Sequence, residues 1–318
     1  MTVLLLVPLL VPLVVPFLAP APARAVLDRL VPATALRVLT ASALVLAGAC
    51  VAALGCLVLL GLLTLPVFAG LGELVRPLRG SPGPLVLPAA AAATGVLALS
   101  AWRTVRSGLR QARDFRTARR QADSRPAAGD LCVVDSPHPD AYALPGRPHR
   151  IVVTTAMLRS LGPAEREALF AHERAHNRAG HHYCLAAAEL AAHCHPALHA
   201  VRDSIRLAVE RAADESAATA VGDRHLMATA IARAALARAA LAGDSGQVTR
   251  PDFAPAATTG PVPRRVRALL EPAGARSRAA RWTVFLLVAC TALSFAAGTA
   301  GVVDFHHAVE VAQGEENR

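Results

Sequence analysis

Three residues, His172, Glu173 and His176, form an H-E-x-x-H motif in the second half of the chain. In a helix, residues four positions apart lie one turn above each other on the same face, so both imidazoles can reach one metal ion. Glu173, beside the first histidine, is placed to take a proton from the attacking water. The motif therefore predicts hydrolysis of a peptide bond assisted by zinc.

The residues around the motif predict the helix that this chemistry requires. Gly162 and Pro163 mark a helix start, Glu165 falls in the first turn, and Gly180 ends the apolar periodicity. We predict a helix over residues 163–179. Because a chain with 12 histidines can also produce the motif by chance, a third ligand has to decide between the two interpretations.

A second pair of residues, Glu210 and Asp214, supplies the candidates for this role. Catalytic zinc sites use three protein ligands, and these two carboxylates share one helical face. The 34-residue step from His176 to Glu210 lets the chain turn at His195 and return as a second helix. We predict Glu210 as the third ligand and Asp214 as the acceptor for the free N–H of a ligand histidine. The alternative is a solvated acidic face.

The combination of H-E-x-x-H with E-x-x-x-D resembles the signature of the gluzincin membrane peptidases, both HtpX-type and BlaR/MecR-type. The order of segments 139–143 and 150–158 ahead of the motif helix is also typical of them, and His195-Pro196 before a basic helix favours the BlaR/MecR type. The resemblance covers about residues 130–230. It implies a minimal zincin domain of the α+β class that binds one zinc ion per chain.

Substrate binding is expected on a β-branched run over residues 150–155, which reads as a strand. A peptidase holds its substrate extended, and an edge strand can bind the peptide as an added strand through main-chain hydrogen bonds. Val152 and Val153 are candidate substrate-binding residues for this reason, and the resemblance adds Tyr142 and Ala143. The alternative is a strand that only closes the core.

Other groups near the motif are candidates to stabilise the reaction's oxyanion, namely His181, His225 and Arg206, and the sequence does not choose among them. The stretch 243–263, which is rich in Gly, Pro, Ser and Thr, predicts a loop.

The composition predicts a membrane protein, since 54% of the residues are hydrophobic and the mean hydropathy is +0.40. We therefore expect a mainly α membrane protein in which the gluzincin-like domain, residues 103–281, is inserted between the third and fourth of four transmembrane helices. The predicted spans are residues 3–18, 38–68, 85–102 and 282–303, and residues 304–318 form a short external tail.

The orientation follows from an arginine cluster directly after residue 102, since positive charge beside a span is typical of the cytoplasmic side. This places the peptidase domain in the cytoplasm and both termini outside. A second interpretation remains open, because Ala23-Arg24-Ala25 resembles a signal-peptidase site. Cleavage of residues 1–25 would put the domain outside.

The net charge of +10 does not indicate nucleic-acid binding. The excess of arginine lies in residues 103–281 and is densest beside the third span, where attraction to the headgroups of the lipid bilayer explains it. The sequence has no nucleic-acid motif, and its aromatic content is 4%. We expect no direct binding to nucleic acid.

The resemblance also implies a role. BlaR/MecR-type proteins inactivate a transcriptional repressor after an external sensor domain binds a β-lactam. Only 15 residues follow residue 303 here, which is too few for a folded sensor, so we expect a peptidase without that C-terminal domain. Its substrate would be a cytoplasmic or membrane-associated protein, such as a winged-helix repressor. The alternatives are HtpX-like quality control of membrane proteins and a catalytically silent membrane scaffold.

Overall fold

A computed structural model describes residues 9–63, 86–125, 127–240, 261–271, 282, 284–297, 299, 300 and 303. These residues are mostly helical and contain one four-stranded sheet. The expectation of a mainly α protein with a small α+β part is confirmed at this level.

Long apolar helices form the N-terminal part of the described chain. Helices α1 (Leu9–Leu18) and α2 (Pro20–Arg29) are bent by 46° at their junction and are apolar enough for a span only as a pair. Helices α3 (Pro32–Leu63) and α4 (Val86–Asp123) are each long and apolar enough to cross a bilayer. Two or three candidate spans therefore exist among these residues, and they indicate membrane association.

The predicted spans differ from these helices in extent. Residues 3–8 and 64–68 lie outside the described residues, as does residue 85. The span predicted over 85–102 is only the first half of α4, which continues without a break to Asp123 because Ala-rich and Arg-rich sequence favours helix throughout.

The last turn of α1, Val15–Leu18, is a 3₁₀ turn that contains Pro16, which has no N–H to donate. With another residue at position 16, its N–H would donate to the Pro12 carbonyl in an α-helix or to the Leu13 carbonyl in a 3₁₀ turn. Both carbonyls instead accept hydrogen bonds from distant residues, Pro12 from the Cys50 thiol at 2.9 Å and Leu13 from His195 Nε2 at 3.0 Å. The proline-rich segment is thus tied to the rest of the protein.

The sheet contains β1 (Ala127–Ala128), β2 (Leu131–Val134), β3 (Ala141–Leu144) and β4 (Arg150–Thr154), in the spatial order β1-β2-β4-β3. Strands β2 and β4 are parallel, and the other two pairs are antiparallel. The expectation that the strand over 150–155 lies at an edge is wrong, because β4 pairs on both sides. Its consecutive buried residues, Ile151 to Val153, are typical of an interior strand.

The remaining helices surround the sheet and one another. They are α5 (Thr155–Ser160), α6 (Pro163–Ala179), α7 (His181–Cys194), α8 (Leu198–Val221), α9 (Arg224–Ala239) and α10 (Val262–Leu270). The predicted motif helix over 163–179 is confirmed as α6. Helix α10 begins inside the predicted loop 243–263, of which residues 243–260 lie outside the described residues. The segment of the fourth predicted span contains the shorter apolar helix α11 (Val284–Ala297).

Helix α8 joins the two parts of the molecule. One of its faces, including Val201 and Ile205, shares a core with Ala23 of α2 and with Leu36 and Leu39 of α3. Its opposite face packs against α6. The far end of α4 packs on the sheet in a separate core. The membrane-side helices therefore help to position the helix that carries Glu210.

Candidate metal centre

The ends of α6 set the position of the motif. Gly162 donates its backbone N–H to Glu165 Oε2 at 2.8 Å, and Pro163 occupies the first helical position. At the other end Gly180 adopts φ +63°, a left-handed conformation that a side chain would strain, and so ends the helix. Arg233 of α9 pairs with Glu165 Oε1 at 2.5 Å and holds the start of α6 against its neighbour.

The three predicted ligands meet between α6 and α8. The Nε2 atoms of His172 and His176 lie 2.9 Å apart. Glu210 Oε2 lies 3.6 Å from His172 Nε2, and Glu210 Oε1 lies 3.8 Å from His176 Nε2. All three side chains are buried. Within the described ranges, this is the only cluster of His, Cys, Asp or Glu whose spacing suits a metal ion.

The distances between these side chains and the types of their donor atoms fit zinc. Ligand atoms at about 2.0–2.1 Å from a tetrahedral zinc are separated from each other by roughly 3.3 Å, close to the observed spacings. Two imidazole nitrogens and a carboxylate oxygen are also the donor set that zinc prefers. Glu173 is fully buried beside the first candidate ligand on α6.

The Nδ1 atoms of His172 and His176, which face away from the other candidate ligands, have different partners. His172 Nδ1 lies 3.0 Å from Asp214 Oδ1, which is where the sequence predicted Asp214 to act. His176 Nδ1 lies 2.9 Å from Nδ1 of His181, the first residue of α7. His181 therefore lies behind a candidate ligand. Of the other two oxyanion candidates, Arg206 pairs with Glu189 at 3.2 Å and His225 is exposed at the start of α9.

Arg265 of α10 is a member of the cluster that the sequence did not reveal. Its guanidinium is fully buried and donates to Asp214 Oδ2 at 2.8 Å and Asp214 Oδ1 at 2.6 Å, and Nη1 lies 3.0 Å from Glu210 Oε2. A signal was present, because Val262, Val266 and Leu269 recur at helical spacing on the side of Arg265. The predicted loop ended at residue 263, and no helix was predicted directly after it.

The charges around the cluster favour an added cation. Glu173, Glu210 and Asp214 supply three buried carboxyl groups, and Arg265 supplies one buried guanidinium, so acidic groups outnumber the guanidinium around the candidate ligands. Burial lowers the pKa of His172, but the adjacent carboxyl groups of Asp214 and Glu210 outweigh it and raise the pKa to about 9. The two carboxyl groups therefore attract positive charge to this imidazole.

The other ionisable groups follow their surroundings. Burial raises the pKa of Asp214. The charge and hydrogen bonds of Arg265, together with the hydrogen bond and charge of His172, outweigh burial and hold this pKa below its ordinary value. Burial, together with the charges of His172, His181 and Arg265, lowers the pKa of His176 well below its ordinary value. Burial, followed by the charges of His172 and His182, lowers the pKa of His181 to about 4. His176 and His181 are therefore neutral near pH 7.

A comparison with models of protein families bears on the segment that contains the motif helix. Residues 110–205 match Peptidase family M48. The matched segment contains both motif histidines, Glu173 and His181, and it indicates a metallopeptidase. No curated protein and no solved structure matches the chain.

The match to Peptidase family M48 ends before Glu210, Asp214 and Arg265, and it covers less than a third of the chain. The association of these three residues with the peptidase motif therefore rests on their positions in the structure. Helix α8 starts inside the matched segment and carries the two carboxylates beyond it.

The candidate substrate-binding residues of the peptidase lie in β3 and β4. Tyr142 and Val152 are buried in the core beneath α4, and Val153 is buried in another core, so these side chains pack inside the domain. Strand β3, next to α6, is an edge strand of the sheet. Thr154 N donates to Asp140 O at 2.9 Å, which makes these two residues a hydrogen-bonded pair of the antiparallel strands. Hydrogen-bonded pairs alternate along such strands, so the main-chain N–H and C=O of Ala143 point away from β4, toward the open edge.

Proposed function

We propose that this protein is a zinc-dependent integral membrane endopeptidase. The observation that carries the proposal is the buried meeting of His172, His176 and Glu210, two of which lie in the segment matched by Peptidase family M48. Glu210 comes from a separate helix, so chance repetition within one arginine- and alanine-rich helix does not explain the cluster.

The proposed roles follow from these positions. His172, His176 and Glu210 would hold the zinc ion, which when bound polarises the scissile carbonyl and makes its water more acidic. Glu173 would accept a proton from the attacking water and pass it to the leaving amine, as a general base and then a general acid. Asp214 would accept the Nδ1 proton of His172 and so keep its Nε2 free for the metal.

The substrate is proposed to bind along β3. An extended peptide added to this edge would pair with the main-chain groups of Ala143, beside the motif helix. Tyr142, Val152 and Val153 would support the strand from within the core, which replaces the direct contact first expected for them.

Exposed residues of α4 support the proposed cytoplasmic position of the peptidase domain in a topology of four spans. Arg103, Arg106 and Arg110 are exposed, and none of them forms a salt bridge within the described part of the chain. The Arg106 guanidinium carbon lies 5.2 Å from the centre of the Trp102 ring, a pairing suited to the level of the headgroups. We place the cytoplasmic surface of the bilayer here and the anionic lipid headgroups next to these arginines.

The N-terminal segment is proposed to be retained as the first span. Ala19 and Ala23 are fully buried in the core shared with α8, so cleavage after Ala25 would remove part of that core. Sequencing of the mature N-terminus would test this, and a chain that begins after Ala25 would overturn it.

The proposed substrate is a cytoplasmic or membrane-associated protein, with a winged-helix repressor as the regulatory candidate. The shared core of α8 with α2 and α3 favours a second candidate, quality control of membrane proteins, because the active helix is built against the membrane-side helices. Comparing cleaved protein termini in cells with active and inactive enzyme would show one soluble target in the first case and many membrane fragments in the second.

The test of the activity is Glu173→Gln, which removes the base and keeps the shape of the side chain. Glu167→Gln is a matched control, since Glu167 lies on the same helix and its side chain is 66% exposed. We expect the purified wild type and both variants to contain one zinc ion per chain and only Glu173→Gln to lose cleavage. A wild type without zinc, or equal cleavage by Glu173→Gln, would support the silent scaffold instead.

A further inference from the structure

His181 lies behind the second histidine of the motif. The left-handed turn at Gly180 separates α6 from α7 by a single residue and brings the first side chain of α7 back toward α6. The rings of His176 and His181 have centroids 4.9 Å apart and meet nearly edge to face, at 78°. His181 is 4% exposed, so water does not compete freely for this contact.

The proton positions follow from the two sides of the His176 ring. Its Nε2 faces His172 and Glu210, and a nitrogen that binds a metal must be unprotonated. In a neutral imidazole the other nitrogen then carries the hydrogen. His176 Nδ1 therefore donates across the 2.9 Å contact, His181 Nδ1 accepts, and the hydrogen of His181 lies on its Nε2.

We propose that His181 is a positioning residue that fixes the tautomer and the ring orientation of His176 for metal binding. The proposal rests on the zinc peptidase function proposed above. It assigns His181 to support of a ligand and removes it from the candidates for the oxyanion.

The acceptor for His176 is the neutral ring of His181, whereas the acceptor for His172 is the carboxylate of Asp214. Ligand histidines usually donate their second N–H to a carboxylate, a backbone carbonyl or water, and loss of such partners weakens metal binding about 10–100-fold. A neutral acceptor leaves the ligand less basic than a carboxylate does, so we expect the effect of His181 at the lower end of that range.

The experiment measures zinc affinity of the full-length protein by competition with a chromophoric chelator, which does not depend on cleavage. His181→Ala removes the acceptor and is expected to weaken zinc binding about tenfold. His181→Asn places a carbonyl oxygen near the position of Nδ1 and is expected to restore most of the affinity. His182→Ala is the matched control, because His182 is the next residue and its ring lies against Tyr183, with the centroids 4.0 Å apart and the planes tilted by 41°.

A residue with only a structural role would give a different result. His181→Ala and His181→Asn would then lower the melting temperature without changing zinc affinity, and this outcome would overturn the proposal while leaving the peptidase function intact. If His181→Ala does not fold, His181→Asn is compared with His181→Gln, whose carbonyl is one bond farther away and is expected to bind zinc more weakly. Equal affinity of these two variants would also overturn the proposal. A wild type that binds no zinc would overturn the peptidase function itself.

Discussion

The two histidines of the motif lie on one helix with their Nε2 atoms 2.9 Å apart, yet the regions behind them differ in charge. Behind His172 stands Asp214, a carboxylate held in place by the buried guanidinium of Arg265. Behind His176 stands His181, a neutral ring. The charged side would strengthen the donor atom of its proposed ligand, while the neutral side would mainly orient its own. We therefore expect one motif to combine a strong ligand with a weaker one.

The largest effect is expected from removal of the Arg265 guanidinium, which lies behind His172. Arg265→Ala leaves Asp214 and Glu210 buried without their guanidinium partner, and breaking a buried ion pair from one side costs about 3–5 kcal/mol. Thermal unfolding of the metal-free protein should show this loss, and added zinc should reduce it because a cation replaces the missing charge. Arg264→Ala is the control, since Arg264 is exposed on the same helix. Equal melting temperatures of the two variants would contradict this account.

A smaller effect is expected from neutralising the carboxylate behind His172. Asp214→Asn removes the charge that raises the basicity of this ligand, and we expect zinc affinity to fall about 10–100-fold, by more than in His181→Ala. The control Asp203→Asn alters a side chain on the same helix that is 63% exposed. If His181→Ala weakened zinc binding more than Asp214→Asn, the proposed difference between the two sides would be wrong.

The smallest effect on affinity is expected when the neutral side is made charged. His181→Asp gives His176 a carboxylate partner, which should tighten zinc binding a few-fold. The same change should lower the stability of the metal-free protein by about 1–3 kcal/mol, because the new acid is buried without a cation of its own. Zinc competition and thermal unfolding measure the two changes separately. A weaker affinity together with an unchanged melting temperature would contradict both expectations.

Local signals explain which parts of the centre the sequence predicted. The bounds of α6 follow from Pro163 and Gly180, and helical spacing puts His172 with His176 on one face and Glu210 with Asp214 on another. These features are local, so periodicity and capping residues reveal them, whereas the meeting of the two faces was predicted from the turn at His195 and from the family resemblance.

Non-local pairing explains what the sequence did not predict. The interior position of β4 depends on β3, a four-residue strand with little pattern of its own. The approach of Arg265 to Asp214 spans 51 residues, and the helix that carries it is short and flanked by prolines. Both required knowledge of which elements meet. The contact of His181 with His176 is local, but it depends on the left-handed conformation of Gly180, which the sequence pattern did not specify.

The long-range contacts of the proline-rich helix α1 have a consequence for the order in which the protein is assembled. Residues 12 and 13 leave the ribosome long before His195, which reaches the Leu13 carbonyl across a separation of 182 residues. The N-terminal helices α1 to α3 can therefore enter the bilayer before α7 and α8 are synthesised. We expect the metal centre to mature only on chains that have already been inserted, and zinc binding by chains translated with and without membranes would reveal this order.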